Sequence, residues 1–174
     1  MLLRELGFAV RLLSARVPRE DGTYTPEFDH LALRVDLEEP WLADVGFGDS
    51  FLDPLRLGTS AEQKQDGGVF RITTENDLQR VERVEPGGSW KQQYFLTQTP
   101  RRLDEFAHMC HYHQTSPESP FTRQSLCSRA TAGGRITLSG RTLIVTHNGE
   151  REEQLLNSEA ERQVVLREYF KVVL

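Results

Sequence analysis

His30 stands at the head of one apolar run and Asp44 lies inside the next, in the stretch DHLALRVDLEEPWLADVGFG that covers residues 29–48. An imidazole that takes a proton from a thiol or hydroxyl needs a carboxylate or amide on its other ring nitrogen, to fix tautomer and orientation. A carboxylate flanked by Ala43 and Val45 is costly to desolvate unless it has such a partner. Adjacent strands bring residues about a dozen positions apart side by side, so a histidine base with an orienting aspartate fits this spacing. The pattern also admits a plainer role, in which His30 caps a strand and Asp44 accepts turn amides. Asp29 reads as a surface turn carboxylate.

The glycines after Asp44 permit a positive φ or a close backbone approach at Gly46 and Gly48, and Phe47 between them can wall an apolar pocket. A strand end with a bulge would use the same residues. This GxG has no third glycine and opens no helix, which argues against a dinucleotide loop. The run HMCHYH supplies His108, Cys110, His111 and His113. On a helix, His108 and His111 share one face and Cys110 and His113 another, so four ligands do not converge and no metal is expected. Cys110 falls on an apolar stripe with Phe106, and Cys127 lies in a strand pattern, so both thiols are expected to be buried and inert.

Such residues need a scaffold, and 174 residues suit one medium domain or two small ones. The net charge of -5 argues against a nucleic-acid surface, which must neutralise phosphates. No apolar run approaches the roughly 20 residues of a membrane span, and Glu5 interrupts what would be the apolar core of a secretory leader. Two cysteines make no disulfide framework, so a reducing cytoplasm is expected.

LLRELGF reads as the last turns of a helix closed by Gly7. Strands are expected at 8–17, 30–35, 41–47, 69–74, 78–84 and 90–96, punctuated by Gly67-Gly68 and Pro86-Gly87-Gly88, a spacing of antiparallel sheet or barrel. Beyond Thr99-Pro100, Leu103, Phe106, Ala107 and Cys110 mark one helix face. GRITLSGRTLIVTHNGE is a hairpin with Ser139-Gly140 at its tip, and NSEAERQVVLREYFKVVL is a terminal helix with an Asn or Ser cap. The expected fold is α/β of a mixed α+β type, with a boundary at 98/99.

Four segments carry a resemblance: LRELGFAVRLLSARV, DHLALRVDLEEPWLADVGFG, Pro54-Leu55 and HQTSPESPF. In their order and separations they resemble the bacterial arylamine N-acetyltransferases, from about Leu2 to the terminal REYFKVVL. The resemblance implies a papain-like cysteine-triad superfold: residues 1–98 as the end of the nucleophile helix and an antiparallel β-barrel, 99–174 as an α/β lid, and the N-terminal helical domain largely missing. It implies a Cys-His-Asp triad and ping-pong transfer of acetyl from acetyl-coenzyme A, through a cysteine thioester, to a small aromatic amine, hydrazine or hydroxylamine. His30 matches the triad histidine and Asp44 the triad aspartate. Phe47 matches the aromatic lining the acceptor pocket, within the turn formed by Gly46 and Gly48, and Asp49 and Phe51 fall where the same loop tunes acceptor choice.

The family's cysteine lies in an RGGYCFE-like motif roughly forty residues before the histidine, yet none of the 29 residues before His30 is a cysteine. The expectation is therefore a chain that keeps the histidine and aspartate but not the nucleophile, with uncovered apolar surface that favours self-association. The alternative is a non-catalytic module that binds coenzyme A or an aromatic ligand, or an inactive fragment.

Overall fold

In the computed structural model, residues 2–174 are described. They divide into two compact units, one running to Cys110 and the other from His111 to Leu174.

The first unit opens with a single helical turn, α1 (Leu2–Glu5), closed where Gly7 takes a φ of +88°. Eight strands follow: β1 (Ala9–Arg16), β2 (His30–Asp36), β3 (Pro40–Ala43), β4 (Leu55–Arg56), β5 (Gln63–Gln65), β6 (Gly68–Glu75), β7 (Leu78–Val84) and β8 (Trp90–Thr97). They form one antiparallel sheet in the order β4-β3-β2-β1-β8-β7-β6-β5, curled into a nearly closed barrel. Alternating residues point inward, and Leu13, Ala32, Leu42, Phe70, Val81 and Tyr94 are fully buried. Such closure removes the free edges that an open sheet exposes.

Two glutamines tie the segment that contains β4 to β5. The Gln63 side chain accepts from the Arg56 N–H at 2.8 Å and donates to the Arg56 carbonyl at 3.2 Å. Gln65 accepts from the Leu52 and Asp53 amides and donates to the Asp53 carbonyl at 2.7 Å. Side-chain amides thus imitate a missing backbone ladder across the seam. β4 and β5 hold two and three residues, too short to show an apolar alternation, and neither was foreseen.

The segment after β8 stays with the barrel, where the Arg101 N–H donates to the Leu12 carbonyl at 2.8 Å. A 3-10 turn at Leu103–Phe106 leads into α2 (Ala107–Thr115). The buried residues are Phe106 and Met109, while Leu103 is exposed. Cys110 is exposed as well, which corrects its expected burial. The tighter turn advances each residue by about 120° instead of 100°, so the inward stripe shifts to the pair 106/109.

The second unit contains α3 (Pro120–Arg123), β9 (Leu126–Thr131), β10 (Gly134–Ser139), β11 (Thr142–His147), β12 (Glu150–Leu155) and α4 (Glu159–Phe170). Its sheet runs β12-β11-β10-β9. The expected hairpin is its centre, with Ser139 paired to Thr142 and Gly140-Arg141 as the loop. The strand β12, EREEQL, is exposed throughout and has no apolar alternation to announce it. Ile136, Leu138 and Leu143 pack with Val165 and Leu166 of α4, and Cys127 is half-buried against the same cluster. Ser158 caps α4 by accepting from the Glu161 N–H at 3.1 Å, as the sequence proposes. A Cβ at Gly134 would fall 1.8 Å from the Thr146 carbonyl oxygen, so this crossing of β10 and β11 admits only glycine.

Candidate active site

The ladder between β1 and β2 ends where Ala15 pairs with His30, and that between β2 and β3 ends where Leu33 pairs with Ala43. Continued by three residues, the second register sets position 44 beside Ala32 and position 46 beside His30. His30 and Asp44 are therefore diagonal neighbours on one face, within side-chain reach. The face is the interior one, which carries Ala32.

The two side chains meet. His30 Nε2 lies 2.6 Å from Asp44 Oδ2, with the carboxylate side chain 1% exposed and the imidazole 14%. The other Asp44 oxygen accepts from the Gly46 N–H at 2.9 Å. That local bond is an Asx-type turn. It ends β3 at Ala43, where the sequence had suggested a strand to Phe47.

Gly48 has a φ of +87°, a conformation that favours glycine. Gly46 has an ordinary backbone, and a Cβ there would meet His30 Cε1 at 3.7 Å, which is normal contact. Phe47 reaches back over the dyad, its ring edge-on to His30 with centroids 5.4 Å apart.

Tyr94 of β8 completes the enclosure, at 5.3 Å from the imidazole and 5.0 Å from Phe47. Its hydroxyl has no hydrogen-bond partner of ordinary geometry among the described residues. Burial, then the charge of Asp44 and a loose contact with that carboxylate, push its phenol well above the usual 10.0. Burial pulls the Asp44 carboxyl upward too, but the hydrogen bond and charge of His30, the Gly46 N–H and the Tyr94 hydroxyl outweigh it. The carboxyl accordingly sits below its ordinary 3.8.

An ionised Asp44 can only accept, so the proton between the two groups belongs to His30 Nε2. The lone pair of the neutral ring is then on Nδ1, the nitrogen that a proton donor must approach. Such an arrangement is able to act as a general base.

Other candidates fall elsewhere. Asp49 is largely exposed, with its carboxylate 3.2 Å from Arg83, and Phe51 packs edge-on to Phe70 in the barrel core. The helix α2 carries the HMCHYH residues apart, and His113 Nδ1 lies 3.1 Å from Ser119 Oγ, whose hydroxyl accepts from the Phe121 N–H. Among the described residues no three His, Cys, Asp or Glu side chains gather as a metal site, and no helix is long and apolar enough to cross a membrane. Tyr94 was missed because an aromatic in WKQQYFLT reads as ordinary strand core.

The chain has relatives among known proteins. The family model described as N-acetyltransferase matches residues 1–174. Human arylamine N-acetyltransferase 1 is 32% identical over 199 aligned positions, which cover 99% of this chain and 68% of that protein. The structure of arylamine N-acetyltransferase from Salmonella typhimurium superposes with a TM-score of 0.89 at 27% identity, over 98% of this chain and 63% of that one. That of the Mycobacterium marinum enzyme in complex with CoA gives 0.88 at 26% identity, over 98% and 65%. This chain thus spans about two thirds of the length of the proteins it resembles. It belongs to the arylamine N-acetyltransferase family, a family of acetyltransferases.

Proposed function

We propose that this chain carries the base and the acceptor-side wall of an acetyl transfer from acetyl-coenzyme A to a small aromatic amine or hydrazine. The observation that carries this reading is the buried 2.6 Å contact between His30 Nε2 and Asp44, which leaves Nδ1 as the basic atom. Family membership supplies the chemistry, and the M. marinum relative solved with CoA suggests the donor.

In this reading His30 Nδ1 takes the proton of a cysteine thiol, and the thiolate attacks the acetyl carbonyl. Coenzyme A leaves as a thiolate and is protonated by the imidazolium. The amine then attacks the thioester, its proton passes to Nδ1, and the cysteine is released. Asp44 holds the tautomer and stabilises the imidazolium, as the carboxylate of a triad does. Phe47 walls the acceptor side, and the loop after it runs through the exposed Asp49 to Phe51, which anchors it in the barrel core. Both cysteines of the sequence follow the dyad. Cys110 is exposed on α2 and Cys127 packs in the second unit. We assign the thioester to neither. The two free thiols suit a reducing cytoplasm.

Chemical rescue tests the proposal. A small exogenous thiol is added with acetyl-coenzyme A and an arylamine, and the acetylated arylamine is followed. The chain should accelerate its formation over the His30→Ala and Asp44→Asn variants. Equal rates for all three sink the reading, as does an acetyl thioester at Cys110 or Cys127 that turns over.

A further inference from the structure

The residue two positions before His30 holds an unusual backbone. Phe28 has a φ of +68°, in the left-handed region where a bulky side chain is an outlier and Gly or Asn is at home. Strain of this kind persists only where the surroundings over-determine it, and it collects at functional sites.

The surroundings of Phe28 come from two elements outside the turn that holds it. From β1, the hydroxyl of Ser14, itself buried, accepts from the Phe28 N–H at 2.7 Å. From the segment after β8, Phe106 meets the Phe28 ring edge-on with centroids 5.3 Å apart. The Arg101 guanidinium stands 5.2 Å from the same ring centroid. Arg101 is anchored in turn by an ion pair with Glu27 and by its backbone bond to Leu12. Glycine would accept the same φ without strain but would offer no ring to this clamp.

The position of the turn makes it consequential. His30 is the first residue of β2 and its pairing with Ala15 is the last of the ladder, so no strand pairing restrains it from the N-terminal side. The left-handed turn sends the Phe28 N–H onto the Ser14 side chain, and the chain re-enters the sheet at His30 from a fixed direction. We propose that Phe28, clamped by Ser14, Arg101 and Phe106, is a positioning residue that holds the His30 imidazole against Asp44. This rests on the dyad reading above. It assigns Phe28 no contact with the reacting atoms.

The test reads the dyad directly. In the labelled full chain, NMR follows the proton on His30 Nε2 and its exchange with water. Wild type should show it downfield and protected by Asp44. Ser14→Ala and Phe28→Ala act on different elements, and either should raise its exchange about tenfold or more through local opening, while the amides of β10 and β11 keep their protection. Phe28→Gly, which accepts the turn but lacks the ring, should fall between them and wild type. Should Phe28→Ala not fold, Ser14→Ala and Phe28→Gly give the same reading. Exchange within twofold of wild type in the folded variants overturns the positioning role alone. A wild type without this proton overturns the dyad itself, and the proposed function with it.

Discussion

Both units are built from antiparallel strands, but one sheet closes on itself and the other is covered by a helix. In the barrel, inward side chains from distant strands share one interior. A polar group at a strand end is therefore enclosed by aromatics from separate elements, as His30 is by Phe47 and Tyr94. In the second unit α4 packs against one side, and the Ser128–Thr137 and Arg135–Ser128 hydrogen bonds link residues only half-buried. Among the described residues it buries no ionisable side chain; its buried polar residue is Ser119. Closure gives a carboxylate a place to be desolvated and oriented together, whereas the open sheet gives only packing.

That contrast is tested most severely at its two cores. Tyr94→Ala empties a fully buried site and should cost about 3–5 kcal/mol, as for other large aromatics, while Leu138→Ala in the second sheet should cost about 2–5 kcal/mol. Denaturant unfolding measures both. Only the first should also disturb the His30 Nε2 proton; a matching disturbance from Leu138→Ala would erase the distinction.

Next comes the charge itself. Asp44→Asn breaks a buried bond to a charged group and should cost about 1.5–3 kcal/mol at neutral pH. The folded Asp44 carboxyl lies below its ordinary 3.8, so its contribution is fully present above that value and is lost as pH falls through the lower folded value. The gap between wild type and Asp44→Asn should be flat from neutrality to mild acid and narrow below 3.8. Urea midpoints across that range check the sign, and a gap that widens on acidification contradicts it.

Smaller still is Gly48→Ala, which places a side chain at a φ of +87° and should cost about 1–2 kcal/mol, read as a lowered melting temperature. Least of all, Arg83→Ala removes the partly buried partner of a largely exposed Asp49 and should shift stability by about 0.2–1 kcal/mol. A loss as large as that of Asp44→Asn would mean that the loop, not the barrel interior, holds the site together.

The sequence announced the strands long enough to stand between clear turn signals. β1, β2 and β6–β8 hold seven or eight residues each and are bounded by turns, the β10–β11 hairpin is punctuated by glycine, and α4 carries its cap. It could not announce β4, β5 or β12, because two or three residues show no period and because EREEQL pairs through its backbone with no apolar face. The phase of the helix near Cys110 departs from the periodicity of the sequence because a 3-10 turn precedes it.

By itself, the chain determined which residues were able to do chemistry: an imidazole and a carboxylate fourteen positions apart, on runs that read as adjacent strands, beside a glycine-flanked aromatic. Only the tertiary structure decided that they touch, since a one-residue change of register would have turned one of them to the opposite face. It also decided that Tyr94 stands over them and that Phe28 is bent into a left-handed turn just before His30. Those facts depend on β8, Ser14 and Arg101, which are remote from the dyad in sequence and are brought to it only when the barrel closes.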